Sequence, residues 1–124
     1  ALAGMAPGRY AGEAIFGLGD PRDVEVSPEG RISLAGTPFL AGAGLLIDRC
    51  VENAARFCDL SLREALKMAT ENPARLLGID ATAGRVEVGR SADLALLGWD
   101  SERCKMSVET TVVRGEVVFR NDPV

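Results

Sequence analysis

The chain contains no histidine. That absence removes the Ser–His and Cys–His pairs that activate most hydroxyl and thiol nucleophiles. It also removes the commonest ligand of catalytic zinc. Any chemistry must come from carboxylates, hydroxyls, thiols and two lysines, Lys67 and Lys105. Cysteine is nearly as scarce. Cys50, Cys58 and Cys104 are odd in number and no CxxC occurs, so neither a disulfide framework nor a zinc ribbon is supported. The thiols are expected to be reduced and mostly buried. Aromatic residues are only 5% against 47% hydrophobic, so apolar surface is spread over small side chains, which favours close packing of elements over a bulky core. No basic block occurs, and the formal net charge is −4. A phosphate-neutralising patch for nucleic acid is therefore excluded, as is attraction to an anionic membrane surface. No apolar run reaches the ~18 residues needed to span a bilayer. The chain does not open on Met, and its apolar start has no charged segment ahead of it. It is read as a trimmed piece of a cytoplasmic protein rather than one led by a signal peptide.

What is present, in 124 residues, is one domain at most or part of a larger one. "ALAGMAPGRYAGEAIFGLGDPRD" is rich in Gly, Pro and Ala, has neither a helix nor a strand period, and reads as a long ordered loop. In "DVEVSPEGRISL", Val24 and Val26 alternate with acids, and Ile32 and Leu34 alternate with polar residues. Ser27-Pro28-Glu29-Gly30 between them suits a type I turn, so the stretch predicts a β-hairpin. The glycine-rich run "AGTPFLAGAG" then leads into a helix. Ile47, Cys50, Val51, Ala54 and Cys58 fall on one helix face, and Asp48, Arg49, Glu52, Asn53 and Arg56 on the other. Glu52 and Arg56 are spaced as a supportive i,i+4 pair.

Ser61-Leu62-Arg63-Glu64 is a capping box opening a second helix, with Leu60 and Ala65 as its staple and Leu62, Ala65, Leu66 and Ala69 as its apolar stripe. Asn72 reads as the cap of a short third helix with Pro73 at its first position, stopped by Gly78. Strand-like runs follow at Arg85–Val88 and Asp93–Leu97, then a hairpin turning at Arg114-Gly115. Leu94–Leu97 and Val117–Phe119 are apolar on both faces and should be covered on both sides. No internal repeat occurs.

Three groups of residues merit weighing for chemistry. The carboxylate pairs Asp20/Asp23 and Asp100/Glu102 could do acid–base work, but both fall in turns, where solvation explains them. Asp93, at the entry to an apolar strand, is expected to accept backbone N–H groups from the preceding loop. The run "AGTPFLAGAG" is no phosphate loop, because no Gly-Lys-Ser/Thr follows. Its amides could hold an anion or a sugar hydroxyl, or it could be a permissive entry to the helix.

Taken together, "SLREALKMATENPARLLGID", "GRVEVGRSADLALL" and "TTVVRGEVVF" resemble the C-terminal end of the amidohydrolase superfamily. There a "T.NPA..LG" helix finish is followed by "G.i..G..ADL.l" and a terminal hairpin. This covers about Ser61 to Phe119. The earlier half, "ALAGMAPGRY", "VEVSPEGRISLAGTPFLAGAG" and "LIDRCVENAARFCDLSLREAL", is similar to the last third of the N-acetylglucosamine-6-phosphate deacetylases within that superfamily.

The resemblance implies an α/β fold that is the C-terminal part of a (β/α)8 metal-dependent hydrolase barrel plus strands of a small β-sandwich domain. Residues 1–79 would be the last part of the barrel and 80–124 the sandwich strands. It implies hydrolysis of the N-acetyl group of an amino-sugar phosphate, a divalent metal of the zinc or iron class in the whole protein, and a homo-oligomer. The family's metal ligands and its catalytic aspartate would lie upstream of Ala1, so no catalytic or metal-binding residue is assigned within this chain and the piece alone is expected to be inactive. The substrate-binding residues it implies are Leu40, Ala41 and Gly42, through their backbone. Ala43 stands where the family commonly has Ser or Thr. The alternatives are another amidohydrolase, dihydroorotase-like or imidazolonepropionase-like, or a non-catalytic assembly module.

Overall fold

Four short strands open the molecule: β1 (Gly8–Tyr10), β2 (Val24–Val26), β3 (Ile32–Leu34) and β4 (Leu40–Gly42). The computed structural model describes residues 4–12 and 22–121. The strands form an antiparallel sheet in sequence order. The Val24/Val26 alternation turns both valines inward with Ile32, and Met5, Tyr10 and Ala41 pack on this cluster. The β2–β3 hairpin closes as its sequence predicts. The Gly30 N–H donates to the Ser27 carbonyl and the Ser27 N–H to the Arg31 carbonyl, both at 2.9 Å. Gly30 sits at φ +81, where a three-residue loop places a left-handed residue after its type I turn.

The first segment is not all loop. Gly8–Tyr10 pairs with Val24–Val26, and the Tyr10 hydroxyl donates to the Ala6 carbonyl at 2.7 Å. Three residues reading Gly-Arg-Tyr carry no alternation, so local pattern gives no sign of the strand. Residues 1–3 and 13–21 of that segment, Asp20 included, lie outside the described residues. The glycine-rich run is likewise corrected: its second half is strand β4, not a helix-entry loop.

The chain divides into two compact units, Ala1–Leu46 and Ile47–Val124. The second holds helices α1 (Ile47–Cys58), α2 (Leu62–Ala69) and α3 (Glu71–Leu76), then strands β5 (Leu94–Asp100), β6 (Lys105–Val113) and β7 (Glu116–Arg120) in an antiparallel sheet of that order. Helix α1 ends on Asp59, left-handed at φ 52, with the Leu60 N–H reaching back to the Ala55 carbonyl. The capping box then forms in full: the Glu64 N–H donates to the Ser61 hydroxyl at 3.3 Å and the Ser61 N–H to the Glu64 carboxylate at 2.9 Å. That hydroxyl and that amide hold the Glu64 carboxyl below its ordinary range.

Helix α3 starts two residues earlier than Asn72 suggests. Thr70 is its N-terminal boundary, and Pro73 occupies the third helical position. Proline remains harmless there, because the N–H groups of the first turn have no partner within the helix. Gly78 ends α3 at φ +68. Its N–H donates to the Arg75 carbonyl and that of Ile79 to the Ala74 carbonyl, which is a complete Schellman stop.

Val51, Ala55, Ala65 and Met106 form the second core, flanked by Ala54, Leu62, Leu66, Ala69, Leu97 and Trp99. The α2 stripe is therefore as predicted, but the buried face of α1 is rotated. Ile47 is 66% exposed and Cys58 is exposed, whereas Glu52 is buried. A carboxylate takes an apolar position because β6 supplies it with partners. The expectation of mostly buried thiols fails with the same rotation; all three cysteines are free, and Cys58 faces solvent.

Arg85–Val88 is not a strand, and Val86 and Val88 are almost wholly exposed. Leu96, Val117, Val118 and Phe119 are each about half exposed, so among the described residues their sheet is not covered on both faces. No helix among those residues is long and apolar enough to cross a membrane.

Candidate functional site

Strand β4 carries all three residues singled out for substrate binding, Leu40, Ala41 and Gly42. It is an edge strand, hydrogen-bonded on one side to β3. Its register pairs Ser33 with Leu40 and Ile32 with Gly42, so Ala41 is the extra residue of a β-bulge. A bulge leaves one residue outside the ladder and re-aims the strand locally. The Ala41 side chain packs on the Val24 cluster, while Leu40 is 69% exposed. The arrangement offers backbone donors and acceptors along an open edge, with one small side chain anchoring the strand.

Both ends of β4 are tied down. Ahead of it, the Leu34 N–H donates to the Phe39 carbonyl at 2.9 Å. The Thr37 hydroxyl donates to the Leu34 carbonyl at 2.9 Å and accepts the Phe39 N–H at 3.3 Å. The Arg31 guanidinium reaches across to donate to the Pro38 carbonyl at 2.5 Å. Beyond it, Gly44 presses on the β2–β3 turn so closely that a Cβ there would lie 1.9 Å from the Gly30 carbonyl oxygen. Local sequence gives no sign of either contact, since both join residues that no pattern links.

The strongest electrostatic feature lies in the second unit. Glu52 accepts two hydrogen bonds from Arg49 at 2.7 and 2.9 Å, one from the Lys105 ammonium at 3.0 Å, and one from the Met106 N–H at 2.8 Å. Burial pushes its pKa up, but the Met106 amide, Arg49 and Lys105 outweigh that and hold it at about 2. The same pairing raises Arg49. The expected Glu52–Arg56 pair is replaced by this one; the Arg56 guanidinium lies over the Phe57 ring instead. A carboxylate with its acceptor sites so fully used is a fastening between α1 and β6, not a proton shuttle.

The remaining carboxylates are also structural. Asp93 accepts the Ser91 hydroxyl at 2.7 Å and the Arg114 N–H at 2.7 Å, and these two bonds lower its pKa. Its backbone partner is thus the β6–β7 turn, not the preceding loop. That turn has Arg114 and Gly115 both at positive φ, as a type I′ hairpin needs. Asp100 accepts the N–H groups of Glu102 and Arg103, which makes the Asp100/Glu102 pair a turn, as expected. Asp23 pairs with Arg9 at 2.8 Å. Between α2, α3 and the start of β5 lies an open groove of about 880 Å³, with Leu66, Pro73, Leu77, Val86 and Leu94 among its lining. Its walls are mainly apolar, and of the two acids that line it, Glu71 and Asp93, Asp93 is already engaged.

Among the described residues no three His, Cys, Asp or Glu side chains are placed to share a metal ion. The described residues therefore do not fit the divalent ion implied for the whole protein, and no step through it is assigned to them.

Comparison with known proteins locates this geometry. The amidohydrolase family profile matches residues 37–118. The N-acetylglucosamine-6-phosphate deacetylase of Rattus norvegicus is 33% identical over 110 residues, covering 85% of this chain and 26% of the relative. The crystal structure of the N-acetylglucosamine-6-phosphate deacetylase from Pasteurella multocida superposes with a TM-score of 0.73 at 26% identity, covering 98% of this chain and 28% of that one. An imidazolonepropionase from Picrophilus torridus is 49% identical over 47 residues, which is 38% of this chain and 12% of the relative. The chain spans about a quarter of the length of these two deacetylases.

Proposed function

The chain belongs to the amidohydrolase family, and from that premise we propose that it forms the C-terminal part of a metal-dependent deacetylase that hydrolyses the N-acetyl group of N-acetylglucosamine 6-phosphate. The observation that carries this reading is the extent of the likeness. The sequence match to a deacetylase runs through 85% of the chain, whereas the imidazolonepropionase match stops at 38%. A tail common to many amidohydrolases would match all of them over the same stretch. Likeness that continues through the glycine-rich run and β4 favours the deacetylases.

In this reading residues 1–79 complete the closing part of a (β/α)8 barrel and residues 80–124 contribute strands to a small β-sandwich. The divalent ion, which would polarise the amide carbonyl and activate water, and the catalytic aspartate come from outside these 124 residues. The contribution of this chain is positional. The open edge of β4 at Leu40, Ala41 and Gly42 contacts the amino-sugar phosphate through its backbone. The whole enzyme works as a homo-oligomer in the cytoplasm.

The test is acetate release from N-acetylglucosamine 6-phosphate. The 124-residue chain supplied with a divalent metal is expected to release none, and the polypeptide that carries it together with a full barrel is expected to release acetate. Deacetylation by the 124 residues alone, or a whole enzyme that ignores this substrate, would overturn the reading.

A further inference from the structure

The β4 reading leaves open what holds an exposed, bulged three-residue strand in one position. Propensity does not: Leu-Ala-Gly is a poor strand sequence, and an edge strand has a neighbour on one side only. The pairing to β3 is interrupted at Ala41. The approach to β4 from the Pro38 side is where a restraint is most needed, because Phe39 and Leu40 are both about two-thirds exposed and contribute little burial.

We propose that Arg31 is a positioning residue for substrate binding, acting through the Pro38 carbonyl to hold β4 in register for the sugar phosphate; this rests on the reading that β4 touches substrate. Arg31 follows the β2–β3 turn, and its own backbone is fixed there. Its carbonyl accepts the Ser27 N–H at 2.9 Å and its N–H donates to the Ser27 hydroxyl at 3.2 Å. From that fixed base the guanidinium reaches seven residues along the chain to Pro38 at 2.5 Å. A charged donor on a carbonyl makes a short, strong bond. Pro38 cannot donate to the sheet, so its carbonyl is the one backbone group by which that residue can be held. With Gly44 lodged against Gly30 at the far end, one turn restrains both ends of β4. Arg31 is exposed, so its restraint acts on the position of β4 more than on the stability of the unit.

The experiment is steady-state deacetylation of N-acetylglucosamine 6-phosphate by the whole enzyme, with the variants Arg31→Ala, Arg31→Lys and Ala41→Pro, and a thermal melt of each. Arg31→Ala is expected to raise KM about 5- to 10-fold with kcat within about twofold and the melt unchanged, as loss of uniform binding would do. Arg31→Lys, which keeps a charged donor, should recover part of the loss. Ala41→Pro removes one β4 amide at a bulge, where proline is tolerated, and should also raise KM. If Ala41→Pro raises KM and Arg31→Ala does not, the role of Arg31 is refuted while the β4 reading stands. If neither moves KM, the β4 reading itself is refuted. If Arg31→Ala lowers the melt and leaves KM alone, Arg31 is a structural residue and the proposal is overturned.

Discussion

Replacing Glu52 by glutamine tests whether α1 is fastened to the sheet by a charge. The carboxylate is buried against β6 and accepts from Arg49, Lys105 and the Met106 N–H. Its pKa falls from 4.5 to about 2. At about 1.4 kcal/mol per pH unit, that difference corresponds to about 3 kcal/mol of stability at neutral pH. Arg49 and Lys105 are each about half exposed, so solvent screens their share and about 3 kcal/mol is an upper figure. Glu52→Gln keeps an oxygen for the Met106 amide but turns an NH₂ toward two cations, and about 2–3 kcal/mol should be lost. Because the folded pKa is depressed, this stability is fully present above pH 4.5 and is lost as pH falls toward 2. The wild-type advantage over the variant should shrink across that window. Trp99 flanks the same core and pairs with Met106 across the sheet, so urea unfolding followed by tryptophan fluorescence at pH 7 and pH 3 reports on the right unit. Equal midpoints at pH 7, or wild-type and variant stabilities that fall in parallel with acid, would refute the reasoning.

Three further outcomes follow from the fold. Ser61→Ala removes the hydroxyl that accepts the Glu64 N–H and should cost about 1 kcal/mol in the same urea assay; a loss near zero would mean the box adds nothing to α2. Gly44→Ala sets a methyl 1.9 Å from the Gly30 carbonyl and should cost about 1–3 kcal/mol as an overpacking change, read as faster hydrogen exchange at the Ile32–Leu34 amides; unchanged exchange would refute that close approach. Leu76, Leu77, Val86 and Val88 are each 70% exposed or more, so the isolated chain should bind an apolar dye and elute progressively earlier as its concentration rises. A monodisperse monomer that binds no dye would show that these side chains need no cover.

The legible parts of the chain were those whose signal and partner lie within a few residues of each other. The Ser61 box, the Gly78 stop and the Ser27–Gly30 turn are closed by hydrogen bonds spanning three to five residues, the Arg114-Gly115 turn joins the paired residues Val113 and Glu116, and each can be read from residue types at fixed spacing. The α2 stripe was legible because Leu62, Ala65, Leu66 and Ala69 stay on one side whatever covers them. Of the candidate site, the three residues of β4 were indicated by resemblance and their conformation was not. Leu-Ala-Gly carries no strand period, and its edge and bulge exist only because β3 lies beside it.

Amino-acid order by itself determined where the helices cap, where the hairpins turn, and that no histidine-based chemistry can occur in this chain. The tertiary structure alone decided which face of α1 is buried, that Gly8–Tyr10 and Leu40–Gly42 become strands, and that Val86 and Val88 do not. The physical reason is the distance along the chain to the partner. Glu52 looks like a surface residue until Lys105 and Met106, more than fifty positions away, bring it a cation and an amide that make its burial favourable.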